Sequence, residues 1–146
     1  MPSLKYDAMK KYILILSFIQ LLLSCSKENS FKKKLIGTWQ IQLVKYQDNE
    51  GFSFYDEQAV GSLVFDDAQL VNGALTSSFA GNSGQLTDTI QLAGYYFLNL
   101  KNEEINFVLG QDTLKARLFL LTNTDLDFEY YNALESKRLR YILKKK

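Results

Sequence analysis

The residues able to do chemistry in this chain are few, and what is missing narrows its function most. Its 146 residues include no histidine, one cysteine (Cys25), and 17 Lys+Arg nearly balanced by 16 Asp+Glu. Without histidine there is no imidazole general base, no histidine metal site, and neither a Ser-His-Asp nor a Cys-His arrangement. A single cysteine cannot form a disulfide within the chain. Neighbouring carboxylates, which can bind calcium or divide acid–base work, stand at Asp66-Asp67, Glu103-Glu104 and Asp125/Asp127. Their spacing matches no calcium loop, and each falls at a turn or on an outer strand face, where solvated charge is the simpler reading. The expectation is a protein that is not an enzyme, with no metal and no cofactor. The charge balance gives no field to gather nucleic acid, and Lys144-Lys145-Lys146 reads as a solubilising tail. No nucleic-acid partner is expected.

Cys25 closes the stretch that gives the chain its address. Lys10-Lys11 precede an apolar run from Ile13 to Leu23, broken only by Ser17 and Gln20, and Ser24 sits directly before the cysteine. A charged opening, an apolar centre and a small cleavage residue make a secretory signal. The run is too short to span a bilayer, which needs about 20 residues. Leu22-Leu23-Ser24-Cys25 resembles the lipobox of bacterial lipoproteins. The resemblance implies cleavage before Cys25, acylation of its sulfur, and a mature chain anchored by more than one acyl chain, the condition for stable membrane binding. It also removes the one thiol from catalysis. Ser26-Lys27-Glu28-Asn29-Ser30 places no aspartate after the cysteine, so the inner-membrane retention signal is absent. Its lysine–acid pair looks like the surface-export tags of Bacteroidota lipoproteins. The expected location is the bacterial outer membrane, on its periplasmic or its surface face. Met9-Lys10-Lys11 is a more usual opening than Met1-Pro2-Ser3, so Met9 stands as the alternative start.

The elements that must position any site come after this address. Ser30 to Gly37 reads as one or two helical turns, capped by Ser30, with Phe31 and Leu35 on one face and three lysines on the other. From there the period is two. Trp39, Ile41 and Leu43 fall on one face of 38–47, and Leu63 and Phe65 point inward from 61–65. Residues 52–60 are ambiguous. Residues 68–79 form one strand or, through Asn72-Gly73, a hairpin. Gly81-Asn82-Ser83-Gly84 is a turn, and 86–100 is one long strand bent or bulged at Gly94, or two strands. Ile105, Phe107 and Leu109 alternate, as do Leu114, Ala116, Leu118 and Leu120, then Leu126, Phe128 and Tyr130, and finally Leu139, Tyr141 and Leu143. Eight or nine short strands with brief connections predict an antiparallel up-and-down meander. Its simplest edge-free closure is an eight-stranded barrel.

The stretch Leu35-Ile36-Gly37-Thr38-Trp39 then matches the Gly-x-Trp opening of lipocalins, preceded by the short helix that closes the barrel base. Leu120 to Leu126 resembles the late hairpin of small lipocalin-like domains, so the chain resembles a lipocalin-like lipoprotein of Bacteroidota over residues 35 to 143. It departs from lipocalins in having neither a C-terminal helix nor a disulfide. The resemblance implies a signal peptide over 1–24, a tether and short helix over 25–36, and a lipocalin-like β-barrel over 37–146. It further implies that Trp39 packs at the barrel base under an arginine from the last strand, Arg138 or Arg140. The function expected is non-enzymatic binding of a small apolar ligand in the barrel, with Tyr96 and Tyr141 as ligand-binding candidates. The inward set of Trp39, Leu43, Phe65, Phe107, Leu118, Phe128 and Tyr141 is bulky, however. The alternative is therefore a filled barrel acting as an interaction module with an envelope protein partner.

Overall fold

The computed structural model describes residues 29–47, 53–81, 84–101, 103–132 and 136–146. The proposed signal peptide and Cys25 lie outside them. A helical segment over residues 29–35 leads into nine strands. These are β1 (Gly37–Gln47), β2 (Ser53–Asp56), β3 (Val60–Phe65), β4 (Leu70–Gly81), β5 (Gly84–Asn99), β6 (Glu104–Leu109), β7 (Asp112–Leu121), β8 (Asp125–Asn132) and β9 (Lys137–Lys145). Each of β3 to β9 pairs antiparallel with the next, and β9 returns to pair with β1, so eight strands close a ring. The short β2 pairs with the far half of β1, as β3 does with its near half. Among the described residues this is an all-β, eight-stranded antiparallel barrel with one short helix.

Consecutive strands run up and down, which gives the barrel two distinct ends. The base carries the helix end, the 66–69 turn, the 122–124 turn and the chain's last residues. The mouth carries the opposite strand ends, among them Gln47, Val60, Leu109, Asp112, Asn132 and Lys137.

Two slips in pairing correct the inward set. Gln42 is an extra residue on β1 between Ile41, opposite Leu143, and Leu43, opposite Ile142. A bulge of this kind turns every later side chain to the other face. Val44 is therefore fully buried while Leu43 is only half-buried. Phe119 plays the same part on β7, between Leu118 and Leu120. Leu121 takes the buried position, and Leu120 stands exposed on the outer wall together with Phe119.

Residues 70–81 form one strand, with Gly73 in its interior rather than in a hairpin. Gly73 sits at φ 146°, and a Cβ there would lie 2.0 Å from the Ser62 carbonyl oxygen. The backbones of β3 and β4 approach so closely that only glycine fits. Residues 84–99 likewise form one strand, in continuous register past Gly94. There a Cβ would meet the Val108 carbonyl oxygen at 2.1 Å, so Gly94 serves a close approach and not a bulge.

Between β2 and β3 the ladder breaks, and Asp56 fills the gap. Its buried carboxylate accepts from the backbone N–H groups of Gln58, at 2.9 Å, and of Ser78 on β4, at 2.6 Å. A side chain thus supplies the acceptor that a missing carbonyl would have offered.

The base half of the barrel is filled. Rings run across it in sequence, Tyr96 to Phe65 at 5.1 Å, Phe65 to Phe107 at 6.3 Å, Phe107 to Phe128 at 5.8 Å and Phe128 to Tyr141 at 5.3 Å. All five are at most 1% exposed. Such pairs add roughly 0.5–1.5 kcal/mol each beyond their buried area. Replacing Gly73 with alanine is expected to cost about 2–3 kcal/mol, from backbone strain and displaced strands. Urea unfolding of Gly73→Ala against the parent chain measures it.

Candidate functional site

Of the residues expected at the base, Trp39 stands there and the two arginines do not; its cation is a lysine of the last strand. Trp39 is fully buried, and its indole Nε1 donates to the Leu35 carbonyl at 2.7 Å, capping the end of the helix. Lys145, the cross-strand partner of Trp39 on β9, places its Nζ 5.2 Å over the indole ring and donates to the Lys34 carbonyl at 2.8 Å. One ammonium thus serves a π face and a helix C-terminal carbonyl together.

Arg138 and Arg140 lie nearer the mouth, away from Trp39. Arg140 forks onto Asp127 at 2.7 and 2.6 Å and stacks 4.0 Å from the Phe119 ring, on the outer wall. Arg138 is exposed beside it and lines an outer groove of about 120 Å³ with Lys45, Tyr55 and Glu129.

Tyr96 belongs to the packed base. Its hydroxyl donates to the Asp66 carbonyl at 2.9 Å, and its ring meets Phe65 edge-on. Burial, and then the charges of Asp66 and Asp67, raise its phenol above the ordinary value. Tyr141 ends the run of rings towards the mouth and is 1% exposed. Burial, with the charge of Asp88 second, raises its phenol strongly. The two candidate tyrosines therefore sit at opposite ends of the aromatic core, and only Tyr141 faces the mouth half.

Three of the acidic residues named from the sequence, Asp66, Asp125 and Asp127, are engaged in turns and ion pairs. Asp66 accepts from the Leu70 backbone N–H at 2.7 Å and closes the 66–69 turn. Asp125 accepts from Thr122 and Thr124 and pairs with Lys144 at 2.5 Å, which lowers its pKa. Among the described residues no group of three metal-ligating side chains comes together.

Among the described residues, a concavity of ligand size lies at the mouth. The β7–β8 ladder reaches up only to Ala116 opposite Tyr130. Above that point, Asp112 to Lys115 of β7 pair with β6, and Tyr131 and Asn132 of β8 pair with β9. The wall divides there, leaving a cleft of about 700 Å³ lined by Leu109, Asp112, Thr113, Leu114, Lys115, Tyr130 and Tyr131. Leu114, opposite buried Phe107, and Tyr130, opposite buried Leu139, are on the inward phase, and Thr113, Lys115 and Tyr131 are on the outward one, so the cleft lies in the wall itself. Tyr130 is also the diagonal neighbour of Tyr141 on β9.

The sequence named Tyr130-Tyr131 only as a pair with one ring on each face. A divided wall depends on where pairing stops, and hydropathy does not mark that.

No protein-family profile matches the chain, and a search of curated proteins also finds none. Solved structures similar to it include three. A lipocalin-like protein from Bacteroides uniformis shares 19% identity over 77% of this chain and 99% of its own, with TM-score 0.41. A redesigned β-barrel shares 15% over 79% and 94%, with TM-score 0.40. A triple mutant of bovine odorant-binding protein shares 14% over 77% and 74%, with TM-score 0.38.

Folding raises the proton affinity of both Tyr96 and Tyr141, so on alkalisation the unfolded chain ionises first. Stability from these groups is complete below the free phenol value of 10.0 and declines as pH rises past it. Urea midpoints taken on either side of pH 10 are expected to show that decline. The Tyr141→Phe variant should flatten it.

Proposed function

We propose that this chain is a non-enzymatic, lipid-anchored lipoprotein of the bacterial outer membrane that binds a small amphipathic ligand at the mouth of its barrel. The cleft between the upper halves of β7 and β8 carries this reading. Its volume of about 700 Å³ falls within the range of small-molecule sites, roughly 300–1,000 Å³. Its walls combine apolar Leu109 and Leu114 with the phenols of Tyr130 and Tyr131 and the charges of Asp112 and Lys115. The filled base favours a ligand held above it, nearer Tyr141 than Tyr96, whose hydroxyl is bonded to the Asp66 carbonyl. Absence of histidine, with the one thiol assigned to acylation, favours binding over catalysis.

A second reading has its own observation. Leu70 and Tyr95 are cross-strand partners on the outer wall, exposed together with Phe97 and Val64. An apolar patch of this kind suits docking to an envelope protein. Cross-linking in membranes that returns only monomer would eliminate it.

Native mass spectrometry of protein gently extracted from envelopes is expected to show a co-purifying small molecule, lost in Leu114→Trp, whose ring fills the cleft. Apo mass alone in the parent chain overturns the ligand reading. For the anchor, Cys25→Ser is expected to leave the envelope fraction; unchanged fractionation and size would refute acylation.

A further inference from the structure

The inner face of the mouth half carries two opposite charges where an apolar lining is expected. Asp88 on β5 is in phase with buried Ile90 and Leu92, and Lys137 on β9 is in phase with buried Leu139, Tyr141 and Leu143. In the ring of strands, β5 and β9 are four steps apart in either direction, which places them on opposite sides of the lumen. Their side chains nonetheless form an ion pair, largely out of water. The pair therefore crosses the interior just above Tyr141, whose phenol feels the Asp88 charge.

Beside it stands Ser77, the cross-strand partner of Asp88, 1% exposed and with no hydrogen-bond partner for its Oγ. The Asp56 carboxylate accepts from the N–H groups of Gln58 and Ser78 and not from Ser77. Buried polar groups left without partners are costly, and this one faces the same lumen as the ion pair.

We propose that Asp88, Lys137 and Ser77 form a recognition floor for a zwitterionic head, an ammonium and a carboxylate on one small molecule, whose apolar arm lies in the cleft between β7 and β8. This rests on the cleft as the ligand site. A ligand with one charge would meet one side chain and leave the other without its present counter-ion. Breaking a buried pair by removing one partner is strongly destabilising. A head with both charges exchanges one pair for two: its carboxylate meets Lys137, its ammonium meets Asp88, and the net charge of the lumen is unchanged. Ser77 Oγ then donates to the carboxylate or accepts from the ammonium. Leu109, Leu114 and the Tyr130 ring receive an aliphatic or aromatic arm. The chemistry is that of a free apolar amino acid or a close analogue.

Calorimetric titration of the full chain in micelles with three water-soluble probes tests this. The probes are phenylalanine, phenylpropionate and phenethylamine, which share an arm and carry both charges, the negative one and the positive one. Phenylalanine is expected to bind at least tenfold tighter than either analogue. Asp88→Asn should invert the order in favour of phenylpropionate, and Lys137→Met in favour of phenethylamine. The exchange Asp88→Lys with Lys137→Asp keeps the pair, and should keep the fold and the preference for phenylalanine. Three probes binding alike, no probe binding, or an order unmoved by the single variants overturns the assignment. A co-purifying ligand that persists under those outcomes leaves the cleft standing as the site. Its absence removes both.

Discussion

The barrel depends on the hydrogen-bonded seam between β1 and β9. A meander has two free edges until its first and last strands meet, and here they meet over most of their length, from Trp39 opposite Lys145 to Gln47 opposite Arg138. Closure removes the edges that would otherwise recruit other chains. It also brings the last strand's lysine over the first strand's tryptophan. At the same end the Lys146 N–H donates to the Thr38 carbonyl at 2.9 Å, so the chain's final residue is bonded into the base. Opposite β9, β1 is shared between β2 and β3, and Asp56 bridges the break between those two.

Closure and filling together divide the lumen by chemistry. Towards the base, five rings and the Trp39 indole pack the interior, and two of their polar tips, Tyr96 Oη and Trp39 Nε1, are bonded to backbone carbonyls. Towards the mouth the lining changes to Ser77, Asp88, Lys137, Tyr130 and Leu114, and the wall itself separates between β7 and β8. A rigid lower half and a chemically varied upper half suit a binding protein whose scaffold holds still while its ligand comes and goes.

Much of this was legible in the sequence because a closed antiparallel sheet imposes a period of two, and the turns carry Gly, Asn, Asp and Thr where hairpins need them. Strand number, meander order, helix and the buried rings follow from that. The two bulges did not show, for a physical reason. At Ile41/Leu43 and at Leu118/Leu120 both residues are apolar, so a slip of one place leaves no mark in the hydropathy pattern. The cation over Trp39 was sought among arginines, whereas register sets it: Lys145 is the residue opposite. The polar floor was readable in principle, since Asp88 keeps step with Ile90 and Leu92, and Lys137 with Leu139 and Tyr141. Charges of opposite sign on the inward phase of two strands signal a pair across a lumen. The division of the wall was not readable, because it lies in where a ladder ends.

Trp39 has a consequence for anyone who follows this protein by light. It is the sole indole in the chain, sealed at the base under an ammonium and tied to the helix by its ring nitrogen. Its emission reports the integrity of the seam and little of what happens at the far rim, where the chromophores are phenols. Folding and occupancy thus have separate optical reporters in the same molecule, and a change in tyrosine signal with a silent tryptophan marks an event that leaves the indole and its helix contact undisturbed.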